Sequence, residues 1–116
     1  MGIDNCVFCQ LLDKKLPSKM EYEDEELAVF WDINRQAPTH LLIVPKKHIE
    51  KFSDFTDNDT HLMCKMMVVA KDVADKLGLT EKGFRLVINE GKDSGQSIFH
   101  VHMHLLHGRR LMWPPG

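Results

Sequence analysis

Three histidines alternate with apolar residues near the end of the 116-residue chain: His100, His102 and His104 in the segment HVHMHLL. Successive side chains of an extended strand point to opposite faces, so the three imidazoles should share one face, about 6.5 to 7 Å apart along the strand. A neutral imidazole can act as a nucleophile, and a neighbouring ring can move protons. Three nearby rings cannot all carry charge at neutral pH without repulsion. The spacing therefore predicts a coupled group with nucleophilic, acid and base roles.

Two other interpretations of this triplet remain open from the residues alone. The histidines could be polar residues on a solvated strand face. Alternatively, His102 and His104 could supply two ligands to a zinc ion, which would need a third ligand on the same face.

Length and composition indicate one globular domain over residues 1–116, because 43% of the residues are hydrophobic, as in ordinary single-core proteins. The net charge is −2, and the basic residues are scattered apart from Lys46, Lys47 and His48, which argues against nucleic acid as a partner. We find neither a leader-like start nor a run of roughly 20 apolar residues, so we expect no membrane span and a cytoplasmic location. Three cysteines are few for a disulfide scaffold, which favours reducing surroundings.

Periodicity and turn residues predict the elements that position the histidines. Branched and aromatic residues indicate adjacent antiparallel strands at 26–32 and 39–45, and two further strands at 84–90 and 98–106. Apolar positions at helical spacing predict a helix over 57–77, with Asp57 or Asp59 as N-cap and Gly78 as the stop. A short helix over 6–13 and a strand end or turn over 20–25 are also expected. The order indicates an α+β domain whose antiparallel sheet carries the long helix on one face and leaves the other free for a site.

The segment HVHMHLL matches the His-φ-His-φ-His-φ-φ signature of the histidine triad (HIT) superfamily, where φ is apolar. Further segments match in the same order, and together they resemble the histidine triad nucleotide-binding (Hint) branch: CVFCQLL, FWDINRQAPTHLLIVPKKHI, NEGKDSGQSIFHVHMHLL and WPPG. The resemblance implies a five-stranded antiparallel sheet with two helices, and a homodimer with a continuous ten-stranded sheet. It also implies hydrolysis of purine nucleoside phosphoramidates at the P–N bond through a nucleotidyl-histidine intermediate, releasing AMP or GMP without a catalytic cofactor.

The resemblance assigns roles to residues around the triad. It implies that His102 is the nucleophile, that His104 contacts phosphate, and that an orienting hydrogen-bond chain runs through His100 to His40. The residues implied to bind the nucleotide are Asp32 at the ribose, Trp31 and Ile33 at the base, and Asn89, Gly95, Gln96 and Ser97 around the phosphate. Plain turn or cap roles remain the alternative for Asp32, Asn89, Gly95 and Ser97.

The C-terminal tail, residues 109–116, would reach the partner's site in this branch, so Trp113 would shape leaving-group specificity. On composition alone the tail would be a frayed end. His107 stands where the family usually has a glycine, which adds a side chain directly after the active strand.

Cys6 and Cys9 have the C-x-x-C spacing of half a zinc site, and no second cysteine pair exists to complete it. Some histidine triad proteins join such a pair to two histidines, which here are His48 and His100. A structural Cys₂His₂ zinc site is therefore one expectation; two small apolar residues in the core are the other.

Two further functions stay open at this level. One is a dinucleoside polyphosphate hydrolase or nucleotidyltransferase of the same superfamily. The other is a nucleotide-binding scaffold protein, because a competent site does not reveal which role a cell uses.

Overall fold

The computed structural model describes residues 5–116, which form two helices and five strands. In chain order these are α1 (Val7–Leu12), β1 (Met20–Glu23), β2 (Leu27–Trp31), β3 (Thr39–Pro45), α2 (Thr60–Lys76), β4 (Arg85–Ile88) and β5 (Met103–His107). All strands pair antiparallel in one sheet with the order β1-β2-β3-β5-β4. The predicted α+β class with a five-stranded antiparallel sheet and two helices is confirmed. Neither helix of the described residues is long and apolar enough to cross a membrane.

The main core lies between α2 and one face of the sheet. Alternate residues of the central strands, such as Leu41 and Ile43 of β3, pack there against Met66, Val69 and Val73 of α2. Alternation along the strands and helical spacing in α2 bring these two apolar surfaces together. The predicted packing of the long helix on the sheet is confirmed.

Both ends of α2 lie close to the predicted positions, but its N-terminus is held differently. Asp59 precedes the helix, yet its carboxylate accepts hydrogen bonds from the backbone and hydroxyl of Thr56 rather than from the first turn of α2. It also pairs with Lys47 at 2.7 Å. Asp59 is thus the N-cap residue of α2, as predicted, although its carboxylate serves the preceding 3-10 turn. Gly78 follows the helix with a φ of 73°, as a C-terminal stop requires.

The opposite face of the sheet is partly covered, contrary to the expectation that it would be free. Phe8, Cys9 and Leu12 of α1 pack there against residues that include Phe30 of β2 and Leu42 of β3. The short helix uses its apolar side for this contact and leaves only the remainder of the face open. This remaining area carries the candidate site.

The histidine strand β5 begins at Met103 rather than at residue 98, so the predicted strand is too long. The pairing of β5 with β3 ends at Met103 opposite Ile43, although β3 itself continues to Pro45 beside β2. Before that point the chain is held by irregular backbone: the amide of Val101 donates to the carbonyl of Ile49 at 2.6 Å. His100 and His102 therefore precede the strand, and only His104 lies within it.

Candidate active site

A cavity of about 520 Å³ opens on the α1 face of the sheet. This volume is in the range of small-molecule sites in proteins. The cavity is apolar on the side formed by α1 and the sheet, where the lining side chains include Val7, Phe8, Leu11, Leu16, Phe30 and Leu42. Sequence reasoning missed this wall, although the apolar residues of the segment 6–13 were a signal for it.

Most of the residues named from the sequence also line the cavity. Those lining it are Trp31, Asp32, Ile33, Asn89, Gly95, Gln96, Ser97, His102 and His104. His40, His100 and Trp113 do not line it. His40 and His100 are instead buried behind the cavity wall, next to the histidines that face it.

The hydrogen bonds of His102 fix which of its nitrogens carries the proton. Its Nδ1 lies 2.7 Å from the carbonyl oxygen of His100, which can only accept, so Nδ1–H is the donor. Burial lowers the pKa of His102 below its usual value, which favours the neutral ring. In a neutral ring protonated at Nδ1, Nε2 carries the lone pair. His102 can therefore present a nucleophilic nitrogen.

His104 has the opposite tautomer because of His40. The backbone amide of Gln36 donates to Nδ1 of His40 at 3.1 Å, so a neutral His40 carries its proton on Nε2. That nitrogen lies 2.9 Å from Nδ1 of His104, which must then accept. His104 is left with Nε2–H as a donor. The prediction of an orienting chain through His100 to His40 is wrong at His40, which bonds to His104. The bond from His102 to the carbonyl of His100, in contrast, is present.

Burial keeps this group of rings neutral. It lowers the pKa of both His100 and His104 to about 4, and the neighbouring imidazoles add to the effect. Burial also lowers the pKa of His40, against the opposing charge of Asp32. The rings of His102 and His104 lie 4.9 Å apart, centroid to centroid. One lone pair and one N–H donor thus stand side by side, and the structure rules out the simple solvated-face interpretation of the triplet.

Asp32 lies at the end of β2, where its Oδ1 accepts from the amide of Asn34 and its Oδ2 is 3.5 Å from Nε2 of His40. Asp32, His40 and His104 are close enough together to be considered as metal ligands. The group fits a metal poorly, because the amide of Gln36 occupies Nδ1 of His40 and leaves its proton on Nε2. His102 lies outside this group, so the alternative of a zinc site built on His102 and His104 finds no support.

The loop between β4 and β5 is held by Gln96. Its side-chain oxygen accepts from the amide of Gly91 at 2.9 Å, and its nitrogen donates to the carbonyls of Glu50 and Ile98. Because the side-chain amide of Gln96 is engaged in these three bonds to the protein backbone, it holds the loop in shape and does not extend into the cavity as a free polar group. Gly95 adopts a φ of 87°, which favours glycine. Asn89 and Ser97 line the cavity nearby.

Trp31 and Ile33 lie at the rim of the cavity. Ile33 is fully exposed. The indole of Trp31 donates to Glu21 at 2.8 Å, and the cationic groups of Lys19 and Arg35 lie 4.3 and 4.4 Å from the ring centroid. Cation–π contacts of this kind orient the indole.

The tail runs along its own subunit as far as Met112. Arg85 donates to the carbonyls of Leu111 and Met112, and Arg109 donates to the carbonyl of Gln36. Trp113 is 80% exposed and lies outside the cavity. The ring of His107 donates to the carbonyl of Gly83 and does not line the cavity, so the extra side chain leaves the site open.

Cys6, Cys9, His48 and His100 form a second cluster, and their ligand atoms lie within 4.8 Å of one another. The distances from sulfur to Nδ1 are 3.4 Å for Cys6–His100, 3.2 Å for Cys9–His48 and 3.6 Å for Cys9–His100. A tetrahedral zinc with ordinary Zn–S and Zn–N lengths has S···N edges of about 3.6 Å. The cluster therefore has the size of a zinc site.

The chemistry of the cluster also suits zinc. Nε2 of His100 donates to the carbonyl of Pro45 at 2.7 Å, which leaves Nδ1 unprotonated and facing the sulfurs. Burial, with the neighbouring Cys6 thiol, raises the pKa of Cys9 to about 12. A thiol buried in this way ionises only against a cation, and a bound metal supplies one. All four members are protein side chains, so the site has the closed form of a structural centre.

Comparison with known proteins places the chain in a family. The model of the HIT domain matches residues 13–111, so the chain belongs to the HIT domain family. A HIT family hydrolase from Legionella pneumophila superposes with a TM-score of 0.93 at 46% identity, covering 97% of this chain and 100% of that one. A histidine triad nucleotide-binding protein from Candida albicans has a TM-score of 0.81 at 29% identity, covering 95% and 83%. A 14 kDa zinc-binding protein of Zea mays is 43% identical over 112 residues, covering 95% of this chain and 87% of the relative.

Proposed function

We propose that this protein is a hydrolase of the Hint branch that cleaves the P–N bond of purine nucleoside phosphoramidates. The observation that carries the proposal is the pairing of opposite tautomers at one cavity. His102 offers a lone pair while the adjacent His104 offers an N–H donor. Attack on phosphorus needs both, a nucleophile and a donor that stabilises charge on the phosphoryl oxygens.

In the first half of the reaction, Nε2 of His102 forms a bond to phosphorus as the bond from phosphorus to the amine breaks. The amine leaves with the electron pair of that bond and takes a proton from solvent. Nε2–H of His104 donates to a phosphoryl oxygen. In the second half, water attacks phosphorus and the bond to His102 breaks with its electron pair returning to Nε2. The proton that the attacking water loses goes to solvent and balances the one taken up by the amine. The products are a nucleoside monophosphate, an amine and neutral His102.

The remaining lining residues suit the rest of a nucleotide. The carboxylate of Asp32 can accept both hydroxyls of a ribose. The apolar wall of Phe8, Leu16 and Phe30 suits a purine ring, with Trp31 and Ile33 at its rim. The names of the Legionella and Candida relatives, a hydrolase and a nucleotide-binding protein, agree with this substrate class.

Replacement of the nucleophile tests the proposal. His102→Ala should abolish turnover of an AMP phosphoramidate and leave AMP binding measurable. His61→Gln is a suitable control, because His61 is exposed on α2 and pairs with Glu26. Wild-type turnover in His102→Ala would refute the mechanism. A substrate panel that includes a dinucleoside polyphosphate separates the alternatives, since preference for the polyphosphate would change the substrate assignment. Nucleotide binding without any turnover would favour the scaffold role.

We also propose that Cys6, Cys9, His48 and His100 hold one structural zinc ion, which would join α1 to the segment before β5. The fit of the distances supports this, as does the name of the maize relative. Protein purified without chelator should contain about one equivalent of zinc, and less than a tenth would contradict the site. The exposed Cys64 provides the control, because Cys64→Ser should keep the metal.

For the assembly we propose a homodimer in which the sheets of two chains join. β4 lies at one edge of the five-stranded sheet and can pair with a second copy. The tail 109–116 would then extend towards the partner's cavity, with Trp113 near the leaving group. Light scattering that gives a monomer mass at micromolar concentration would overturn this arrangement.

A further inference from the structure

The Cys/His cluster and the cavity are adjacent and have residues in common. His100 belongs to the cluster through its ring and touches the active site through its backbone. Phe8 lies between the two cysteines in the chain and lines the cavity. These two residues form a short connection between a metal centre and a nucleotide site.

The first connection runs through His100 to the nucleophile. The ring of His100 is completely buried and held on both sides, by the sulfurs at Nδ1 and by the carbonyl of Pro45 at Nε2. The carbonyl of the same residue accepts from Nδ1–H of His102 at 2.7 Å. Fixing the ring of His100 therefore fixes the acceptor that keeps the lone pair of His102 on Nε2.

The second connection runs through Phe8 to the apolar wall. Cys6 and Cys9 bracket the first turn of α1, so ligation of both sulfurs would hold this turn against the sheet. The Phe8 ring packs edge-on against His100 at 5.9 Å and against His102 at 4.9 Å, centroid to centroid. Val7 and Leu11 of the same short helix also line the cavity. A helix of six residues has little stability of its own and depends on such tertiary contacts.

We propose that metal occupancy of the Cys6–Cys9–His48–His100 cluster controls the nucleotide site. With the metal bound, α1 closes the apolar wall and His100 holds His102 in its nucleophilic tautomer. Without the metal, the wall loosens and the tautomer of His102 is no longer fixed. His100 and Phe8 are the positioning residues of this coupling, which rests on the proposed nucleotide site and not on the identity of the bond cleaved.

The test compares zinc-loaded protein with the same protein stripped by a chelator under reducing conditions. Isothermal titration should show that zinc removal weakens AMP binding about tenfold or more, within the usual range for coupled sites. In ¹⁵N-histidine NMR spectra, loaded protein should show the Nδ1–H tautomer of His102, and stripped protein a mixture. Restoring zinc should restore both signals. Because coupling is reciprocal, AMP should tighten zinc binding by the same factor.

Variants make the test independent of the chelator. Cys9→Ser should behave as the stripped protein does, and Cys64→Ser as the wild type does in both metal states. If Cys9→Ser fails to fold, reversible stripping of the wild type still decides. AMP affinity within twofold and an unchanged His102 tautomer after zinc removal would overturn the proposal, as would protein that takes up no zinc.

Failure of this proposal is distinguishable from failure of the proposed function. A loaded protein that cleaves no phosphoramidate, but whose AMP affinity and His102 tautomer respond to zinc, supports the coupling and refutes the activity. Cleavage that persists unchanged in stripped protein, with unchanged AMP affinity, refutes the coupling and supports the activity.

Discussion

His40 is the residue at which the tautomer argument can be tested most directly, because its two nitrogens have different partners. Nδ1 accepts from the amide of Gln36, and Nε2–H donates to His104. The side-chain nitrogen of glutamine lies as far along the side chain as Nε2 of histidine. The side-chain oxygen of asparagine lies as far along as Nδ1 of histidine. His40→Gln therefore keeps the donor to His104, and His40→Asn keeps only the acceptor for Gln36.

The expected magnitudes follow from these bonds. Each variant leaves one buried polar group without its partner, so both should lower the free energy of unfolding by a similar amount, about 1 to 3 kcal/mol. Only in His40→Asn does His104 lose the hydrogen bond that keeps its own proton on Nε2. A neutral hydrogen bond contributes about 0.5 to 1.5 kcal/mol net, so kcat in His40→Asn should fall roughly two- to twelvefold. Loss of the donor itself, in His104→Ala, should cost on the order of a hundredfold or more.

The assay is single-turnover cleavage of an AMP phosphoramidate, with urea unfolding measured on the same samples. His40→Gln should retain kcat within about threefold of the wild type, since the donor that fixes His104 is kept. Equal losses of kcat in the two variants would show that His40 acts only through stability. A greater loss in His40→Gln than in His40→Asn would refute the proposed direction of the hydrogen bonds.

Three further predictions concern pH, the tail and the loop. Because burial lowers the pKa of His102 and lowers that of His104 to about 4, kcat/KM should stay level from about pH 8 to about pH 6 and fall only below that. Below about pH 6.5 the unfolded chain binds more protons at these rings than the folded one, so the free energy of unfolding should fall as the pH drops towards 4; a pH-independent value would contradict their burial as neutral groups. Gly108→Ala should destabilise the protein by at least about 1 kcal/mol in urea unfolding, because φ is 109° and the new Cβ would lie 2.8 Å from Pro38; unchanged stability would show that the tail is not held there. Gln96→Glu should raise KM for the nucleotide, since it removes two donors that hold the loop, and a KM equal to that of the wild type would place the loop outside the site.

The sequence identified the elements because their patterns are local. Branched and aromatic residues mark β2 and β3, which are buried on both faces, and helical spacing marks α2, which is buried on one. All three elements lie within a few residues of their predicted bounds. The start of β5 could not be found in this way. HVHMHLL alternates throughout, but a strand also requires backbone pairing, and the pairing with β3 ends at Ile43 and Met103. The amide of Val101 bonds to the carbonyl of Ile49 instead.

The candidate site was predictable in its residues but not in its connections. The motif and its surroundings named Asp32, Ser97, His102 and His104, and the structure places all four at one cavity. The wall formed by α1 was missed, because a short apolar helix does not reveal which surface it will cover. The predicted partner of His40 was also wrong, because the sequence does not show which two distant residues will form a hydrogen bond.

The sequence by itself determined the α+β class, the order of the elements and the set of residues with reactive side chains. Spacing and residue type carry that information, because the period of a strand or helix and the chemistry of an imidazole are local properties. Only the tertiary structure decided which nitrogen of each histidine holds the proton. The carbonyl of His100 sets His102, while Gln36, acting through His40, sets His104. Protonation at each ring depends on the partner that folding brings within hydrogen-bond distance. The spacing of residues along the sequence does not identify that partner.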